Sequence, residues 1–216
     1  LQSISSSDWS NEAFPYYTFK LDYDLAGIKA HVNRMGFTAE LGYEVMVPSH
    51  QANELWDALI EAGEKYGVVA CAAGALMIVR VEAGMVMSGL EYDQATSPYE
   101  CRMGWSVDLE KGPFQGRDAL FQLKGNHASS IVSIVIDGEA DELDGVEIKA
   151  AGETVGNVTM AVSSPVLGGK TLALARVSRG HGTNGFELQV AGPRGELSAL
   201  VVATPVYDPE RKRVRS

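Results

Sequence analysis

Apolar and polar positions along the chain alternate in some runs and follow a helical period in others; the two textures mix in the first half, and the second half carries short β-type runs alone. In "GIKAHVNR", Ile28, Ala30 and Val32 alternate with Lys29, His31 and Asn33, the period of a strand with one buried face. Tyr43, Val45 and Val47 repeat the pattern after the turn "GFTAELG" and put Glu44 on the opposite face. Pro48 and Ser49 stop that strand. In "HQANELWDALIEAG", Ala52, Leu55, Trp56, Leu59 and Ile60 share one stripe, which predicts a helix with Ser49 as N-cap and Gly63 or Gly67 at its end. A second helix is predicted from about Ala72 to Val81, followed by the loop-rich "EAGMVMSGLEYDQATSPYE". Beyond the polar connector "KGNHASS", β-branched runs take over: "SIVSIVID", "VEIKA", "ETVGNVTMAV", "TLALARV", "FELQV" and "ALVVATPV". Their spacing is that of an all-β sandwich or barrel. The predicted class is therefore α+β, with a mixed helix/sheet region over residues 1–123 and a β region over 126–216.

A hydrophobic content of 45% in 216 residues supports a real core. The formal charge of −10, from 28 acidic against 18 basic residues, opposes binding to a nucleic acid or an anionic membrane surface, so neither is expected as a partner. Arg211, Lys212, Arg213 and Arg215 form the one basic cluster, expected to be a solvated tail unless it clamps an anionic ligand. Cys71 and Cys101 lack CxxC spacing, which predicts a reducing, cytoplasmic setting with both thiols as small buried groups. No apolar run reaches the ~18 residues of a membrane span. The first ten residues, from Leu1, form no recognisable beginning, and the expectation is a portion of something longer.

"GHGTNG", from Gly180 to Gly185, spells the GxGxxG pattern of dinucleotide sites. The strand-like "FELQV" follows it rather than a helix, so Asn184-Gly185 is expected at a hairpin tip. The histidines at 31, 50, 127 and 181 show no metal-ligand spacing, and no serine sits in GxSxG, so no metal is expected. Glu44 has two readings. A lone acid on a strand is ordinarily solvated or paired with a base. It also offers two parallel acceptors to a planar ligand with two adjacent N–H donors, such as the amino-pyrimidinone edge of a pterin.

Successive blocks then bear on that choice. "GFTAELGYEVMVP", "VRVEAGMVMSGLEYDQATSPYECRMGWSVDLEKGPFQGRDAL", "VGNVTMAVSSPVLGGKTLALARV" and "PVYDPERKRVR" resemble, in order, the glycine-cleavage T-protein (aminomethyltransferase) family. That family includes folate-dependent demethylases and the folate-binding domains of dimethylglycine- and sarcosine-oxidising enzymes. The resemblance implies a folate-binding α+β region followed by an antiparallel β-barrel, with tetrahydrofolate as cofactor. It implies that Glu44 bonds the pterin edge and that Phe37, where the family has Tyr, lines the pocket without the hydroxyl. Arg80 matches the second Arg of the family's "RDSLRLEAG", either as a folate contact or as the partner of Glu82 or another core acid.

Leu76 stands where that motif has its first Arg, which points away from strict glycine-cleavage activity; "YDPERKRVR" is closer to the endings of the demethylase and oxidase-linked members. The resemblance also implies an N-terminal segment of the same protein, carrying the catalytic acid and part of the pocket, so no catalytic residue is assigned here and the isolated chain is expected to be inactive. If it did turn over, Glu100 is the first candidate acid. The expected function is tetrahydrofolate-dependent one-carbon transfer, as an aminomethyltransferase, methyltransferase or demethylase, from a small-molecule donor. The alternative is a non-catalytic folate-binding module or a subunit of an amine-oxidising enzyme. A relative in tRNA modification or iron–sulfur assembly is disfavoured, because the KGCYxGQE-type motif is missing, and the acidic balance also opposes RNA.

Overall fold

In the computed structural model, which describes residues 1–215, the alternation of Ile28, Ala30 and Val32 becomes the buried face of strand β2 (Ile28–Asn33). β2 is the centre of a three-stranded antiparallel sheet, between β1 (Phe19–Leu25) and β3 (Glu44–Met46). β1 is not predicted by pattern, and its geometry shows why. Its pairing register shifts between Lys20 and Tyr23, and Asp22 has a φ of 56°, so the alternation breaks inside the strand.

After a 3-10 turn at Ser49–Gln51, the first helix runs as α1 (Ala52–Gly63). Gln51 rather than Ser49 occupies its N-cap, and no side chain caps it. Only part of the predicted stripe is covered: Leu55 is buried, whereas Trp56 is 54% and Ile60 is 36% exposed. Leu55 and Leu59 join Trp9, Phe14, Leu25 and the buried face of β2 in one core, with Tyr43, Val45 and Val47 packed against it. Trp9 lies edge-on to Tyr23 and Tyr43 with ring centroids 5.2 and 5.0 Å away.

The second helix is α2 (Ala73–Glu82), and a third, α3 (Arg117–Leu123), lies in a stretch to which the sequence pattern assigned no element. All six predicted β runs are strands: β4 (Ser129–Ile136), β5 (Glu147–Ala150), β6 (Glu153–Ser164), β7 (Lys170–Ser178), β8 (Glu187–Gly192) and β9 (Gly195–Val202). They close an antiparallel barrel in the order β4-β7-β6-β5-β8-β9. β4 and β7 bury both faces. Ile134, Ala173, Ala175 and Val177 belong to the barrel core, while Ile131, Leu172 and Leu174 pack with Val81 and Ile78 of α2. A strand covered on both sides needs apolar residues at consecutive positions, which is why "IVSIVI" and "LALARV" read as near-continuous runs.

Three expectations change. Phe186 N–H donates to Thr183 O at 3.0 Å and Gly185 has a φ of 85°, so Asn184-Gly185 does form a turn. It is not a hairpin tip, because it joins β7 to β8, which are not neighbours in the barrel. Cys101 is buried but Cys71 is exposed. The basic C-terminus is not a loose tail: Val214 is buried, and Arg213 donates to Glu40 at 3.1 Å. By packing, the chain divides into Leu1–Leu76 together with the residues from Glu210 onward, and Met77–Pro209. That division falls inside α2. Among the described residues no helix is long and apolar enough to cross a membrane.

Candidate functional site

The register of β2 and β3 pairs Asn33 directly with Glu44, and Val32 with Val45. Alternation turns Tyr43 and Val45 toward the core and leaves Glu44 exposed at the sheet end. Asn33 Nδ2 donates to Glu44 Oε2 at 3.4 Å, a long bond that steadies one oxygen. The other oxygen has no hydrogen-bond partner among the described residues. A carboxylate held from one side and open on the other can receive two parallel N–H donors.

The loop joining β2 to β3 carries Phe37, half-buried. Gly36 and Gly42 approach so closely that a Cβ on either would lie 3.8 Å from the other's Cα, which folds the loop back on itself. At its base Arg34 is buried and donates to Phe14 O, while Tyr17 N–H donates to Arg34 O at 3.1 Å. Tyr17 is 59% exposed, with its ring 4.4 Å from that of Tyr16. Burial pushes the Tyr16 hydroxyl above its ordinary range, reinforced by Tyr17, while the charges of Arg211 and Arg215 act in the opposite direction. One end of the small sheet thus gathers Glu44, Asn33, Tyr16 and Tyr17, with the C-terminal cations close by. Sequence reasoning had only Glu44 and Phe37; Asn33 follows from the strand register, and the "YY" pair carries no pattern that marks it.

Arg80 lies in the other unit, in a different setting. Its side chain and that of Glu91 are both fully buried and form an ion pair of 2.6 Å. The guanidinium also donates to Met85 O at 3.2 Å. Its core-acid partner is thus Glu91. Glu82 accepts instead from Ser164 Oγ at 2.6 Å and Val166 N–H at 3.0 Å.

Glu100 is similarly committed. It accepts from Ser97 N–H at 3.0 Å, Ser97 Oγ at 2.9 Å and Ser129 Oγ at 3.1 Å. Burial pushes its carboxyl up, but the Ser97 and Ser129 hydrogen bonds together outweigh that and hold it below the usual carboxylate range, with Arg176 assisting. Such a group stays ionised at neutral pH and is a poor proton donor. Because the folded-state value is depressed, its stabilisation is present above the unfolded value and lost as pH falls through the folded one. Urea titrations should therefore show the gap between the natural protein and Glu100→Gln closing below about pH 4. A gap constant from pH 7 to pH 3 would contradict this.

With the geometry in place, comparison with known proteins identifies the family. Residues 1–111 match the GCVT N-terminal domain and residues 130–208 match the glycine cleavage T-protein C-terminal barrel domain. The chain belongs to the glycine cleavage T-protein family. It is 35% identical over 198 residues to a trimethylamine-oxide aldolase of Ruegeria pomeroyi, covering 89% of this chain and 25% of that protein. It is 37% identical over 199 residues to an aminomethyltransferase of Thermotoga petrophila, covering 92% of this chain and 54% of that one. The fold matches the crystal structure of the glycine cleavage system aminomethyltransferase T from Bartonella henselae, with a TM-score of 0.79 at 22% identity over 93% of this chain and 54% of that one. The chain thus spans a quarter of the first relative's length and just over half of the second's.

Proposed function

We propose that this chain binds tetrahydrofolate at the end of the β1–β3 sheet and takes part in one-carbon transfer to it. The observation that carries the reading is the Glu44 carboxylate, exposed, steadied by Asn33 and open on its second oxygen. The residues present fit the group. Glu44 suits the two-donor edge of a pterin, the half-buried Phe37 offers an apolar ring face, and the cations near Tyr16 suit an anionic tail. When bound, tetrahydrofolate supplies the nitrogen that accepts the carbon unit. This chain's part is to hold and orient: Glu44 fixes the ring edge, Asn33 fixes Glu44, and the aromatic side chains exclude water. Arg80 enters as the residue that holds Glu91.

The family's aminomethyltransferase members make an amine-derived carbon unit the leading donor class. A cytoplasmic setting fits the two free thiols. The exposure of Trp56 at 54%, Tyr66 at 74% and Val69 at 78% supports a further segment of the same protein packing here, without which the isolated chain would not turn over a donor. A second reading, a folate-binding module serving a separate chemical centre, is favoured by the match to one quarter of the trimethylamine-oxide aldolase.

The test is calorimetric titration of the full-length protein with a reduced folate. Glu44→Gln keeps the shape but loses the charge, and should weaken binding about tenfold or more, as for hydrogen bonds to a charged group. Unchanged affinity in the variant would return Glu44 to a solvated surface role. Donor turnover by the same protein separates the enzyme from the module.

A further inference from the structure

A surface cleft of about 550 Å³ opens in the unit that contains the barrel, and nothing in the folate reading uses it. Tyr99, Arg102 and Trp105 come from the segment that precedes α3, His127 from the approach to β4, and Arg179 from the β7–β8 loop that contains the "GHGTNG" stretch. The GxGxxG spelling, which has no helix behind it and cannot cradle a dinucleotide, contributes Gly180 and Gly182 to the cleft wall. Two glycines keep the cleft open. A Cβ on Gly104 would lie 2.9 Å from Cδ1 of Tyr99, and one on Gly182 would lie 3.1 Å from Cγ1 of Val132.

The chemistry of the lining is selective. In a chain of net charge −10, this cleft has two arginines and no Asp or Glu. The Arg179 side chain is exposed and makes no hydrogen bond or ion pair among the described residues. Arg102 is anchored, its guanidinium donating to Thr204 O at 2.8 Å. Glu100, next to Tyr99 in sequence, spends its carboxylate on Ser97 and Ser129. Trp105 is 68% exposed at the rim, and the rings of Tyr99 and His127 stack with centroids 6.4 Å apart. Tyr99 and His127 line the cleft, and the Tyr99 hydroxyl and His127 Nδ1 are both buried without a partner among the described residues, an arrangement that is costly unless a ligand seated beside them draws them into its contacts. The wider cleft of about 770 Å³ at β5, β8 and β9 has no such pair, and its lining carries Asp137 and Glu187 as well as Lys149 and Lys170.

We propose that this cleft is a second binding site, separate from the folate site, for a small anion joined to a flat ring. The oxyanion, carboxylate or phosphate, meets Arg179 and Arg102, the ring lies against Trp105, and a polar group of the ligand satisfies the Tyr99 hydroxyl and His127 Nδ1. The full chain should be titrated calorimetrically with benzoate, phenyl phosphate, inorganic phosphate and cyclohexanecarboxylate. Saturable binding is expected for one or both aromatic anions, which also tells carboxylate from phosphate, with inorganic phosphate and the non-planar ring at least about tenfold weaker. Arg179→Gln, an exposed change that leaves the fold alone, should weaken the aromatic anion about tenfold. Tyr99→Phe, which removes the hydroxyl and keeps the ring, should weaken it about threefold or more. Glu44→Gln should leave this binding unchanged while weakening reduced folate, so the two sites fail or stand independently. No saturable binding of either aromatic anion would overturn the proposal, as would equal affinity in Arg179→Gln or displacement of the anion by reduced folate.

Discussion

Replacing Glu91 by alanine is expected to destabilise the protein by about 3 to 5 kcal/mol, the range for removing one partner of a buried ion pair. The carboxylate ties together α2, the loop that follows it and β6. Oε2 accepts from Arg80 at 2.6 Å on α2 and from Met87 N–H at 2.8 Å, and Oε1 accepts from Thr159 Oγ1 at 2.7 Å on β6. Alanine would leave the fully buried Arg80 guanidinium without a counter-charge and would orphan the Met87 N–H besides, while the Thr159 hydroxyl keeps Leu174 O as its acceptor at 2.9 Å. Its cost compares with total stabilities of about 5 to 15 kcal/mol for a domain. The double variant Arg80→Met with Glu91→Leu should recover most of the loss, because apolar packing often equals a buried pair once neither charge remains. Denaturant midpoints of the three proteins provide the test. A single variant within about 1 kcal/mol of the natural protein would mean that water reaches Arg80.

That pair also marks where sequence reading stops. Arg80 stands out in "VRVEAG", but Glu82 beside it in the same motif is two residues away on a helix, and such positions do not face each other. The true partner lies eleven residues on, across a loop with no periodicity. The same division runs through the fold. Strands covered on both faces, such as β4 and β7, announce themselves as apolar runs, and β2 and β3 by alternation. β1 does not, since its bulge and the acids Asp22 and Asp24 interrupt the pattern. Asn184-Gly185 was legible as a turn because turn chemistry is local; that β7 and β8 do not pair is a property of barrel closure, which no dipeptide encodes.

For the candidate site, Glu44 stood out because an acid among alternating apolar residues is conspicuous, and the resemblance implied a ligand for it. Asn33 needed the register. The second cleft was not legible, because Tyr99, His127 and Arg179 lie in three segments that only the folded chain brings together.

Gly156→Ala is expected to cost about 3 kcal/mol, the upper part of the range for forcing atoms into a packed interior, although it adds only one methyl group. Gly156 lies in β6, opposite Val177 of β7 and Ile148 of β5. A Cβ there would sit 1.9 Å from the carbonyl oxygen of Arg176 and 2.9 Å from Cα of Val177. Both are backbone atoms of a neighbouring strand, so no side-chain rotation relieves the overlap; β6 and β7 must separate, loosening hydrogen bonds that close the barrel. A mid-strand glycine often marks such close backbone approach, so the position in "ETVGNV" is a packing requirement rather than a turn. Gly152, with a φ of 84° and nothing within 4 Å of its added Cβ, separates this from a backbone effect. Gly152→Ala should cost only about 1 to 2 kcal/mol, from left-handed strain alone. Parallel urea titrations should rank Gly156→Ala clearly below Gly152→Ala in midpoint. The reverse order would show that β6 can shift along β7 at little cost and that the barrel is looser at this seam than the geometry implies.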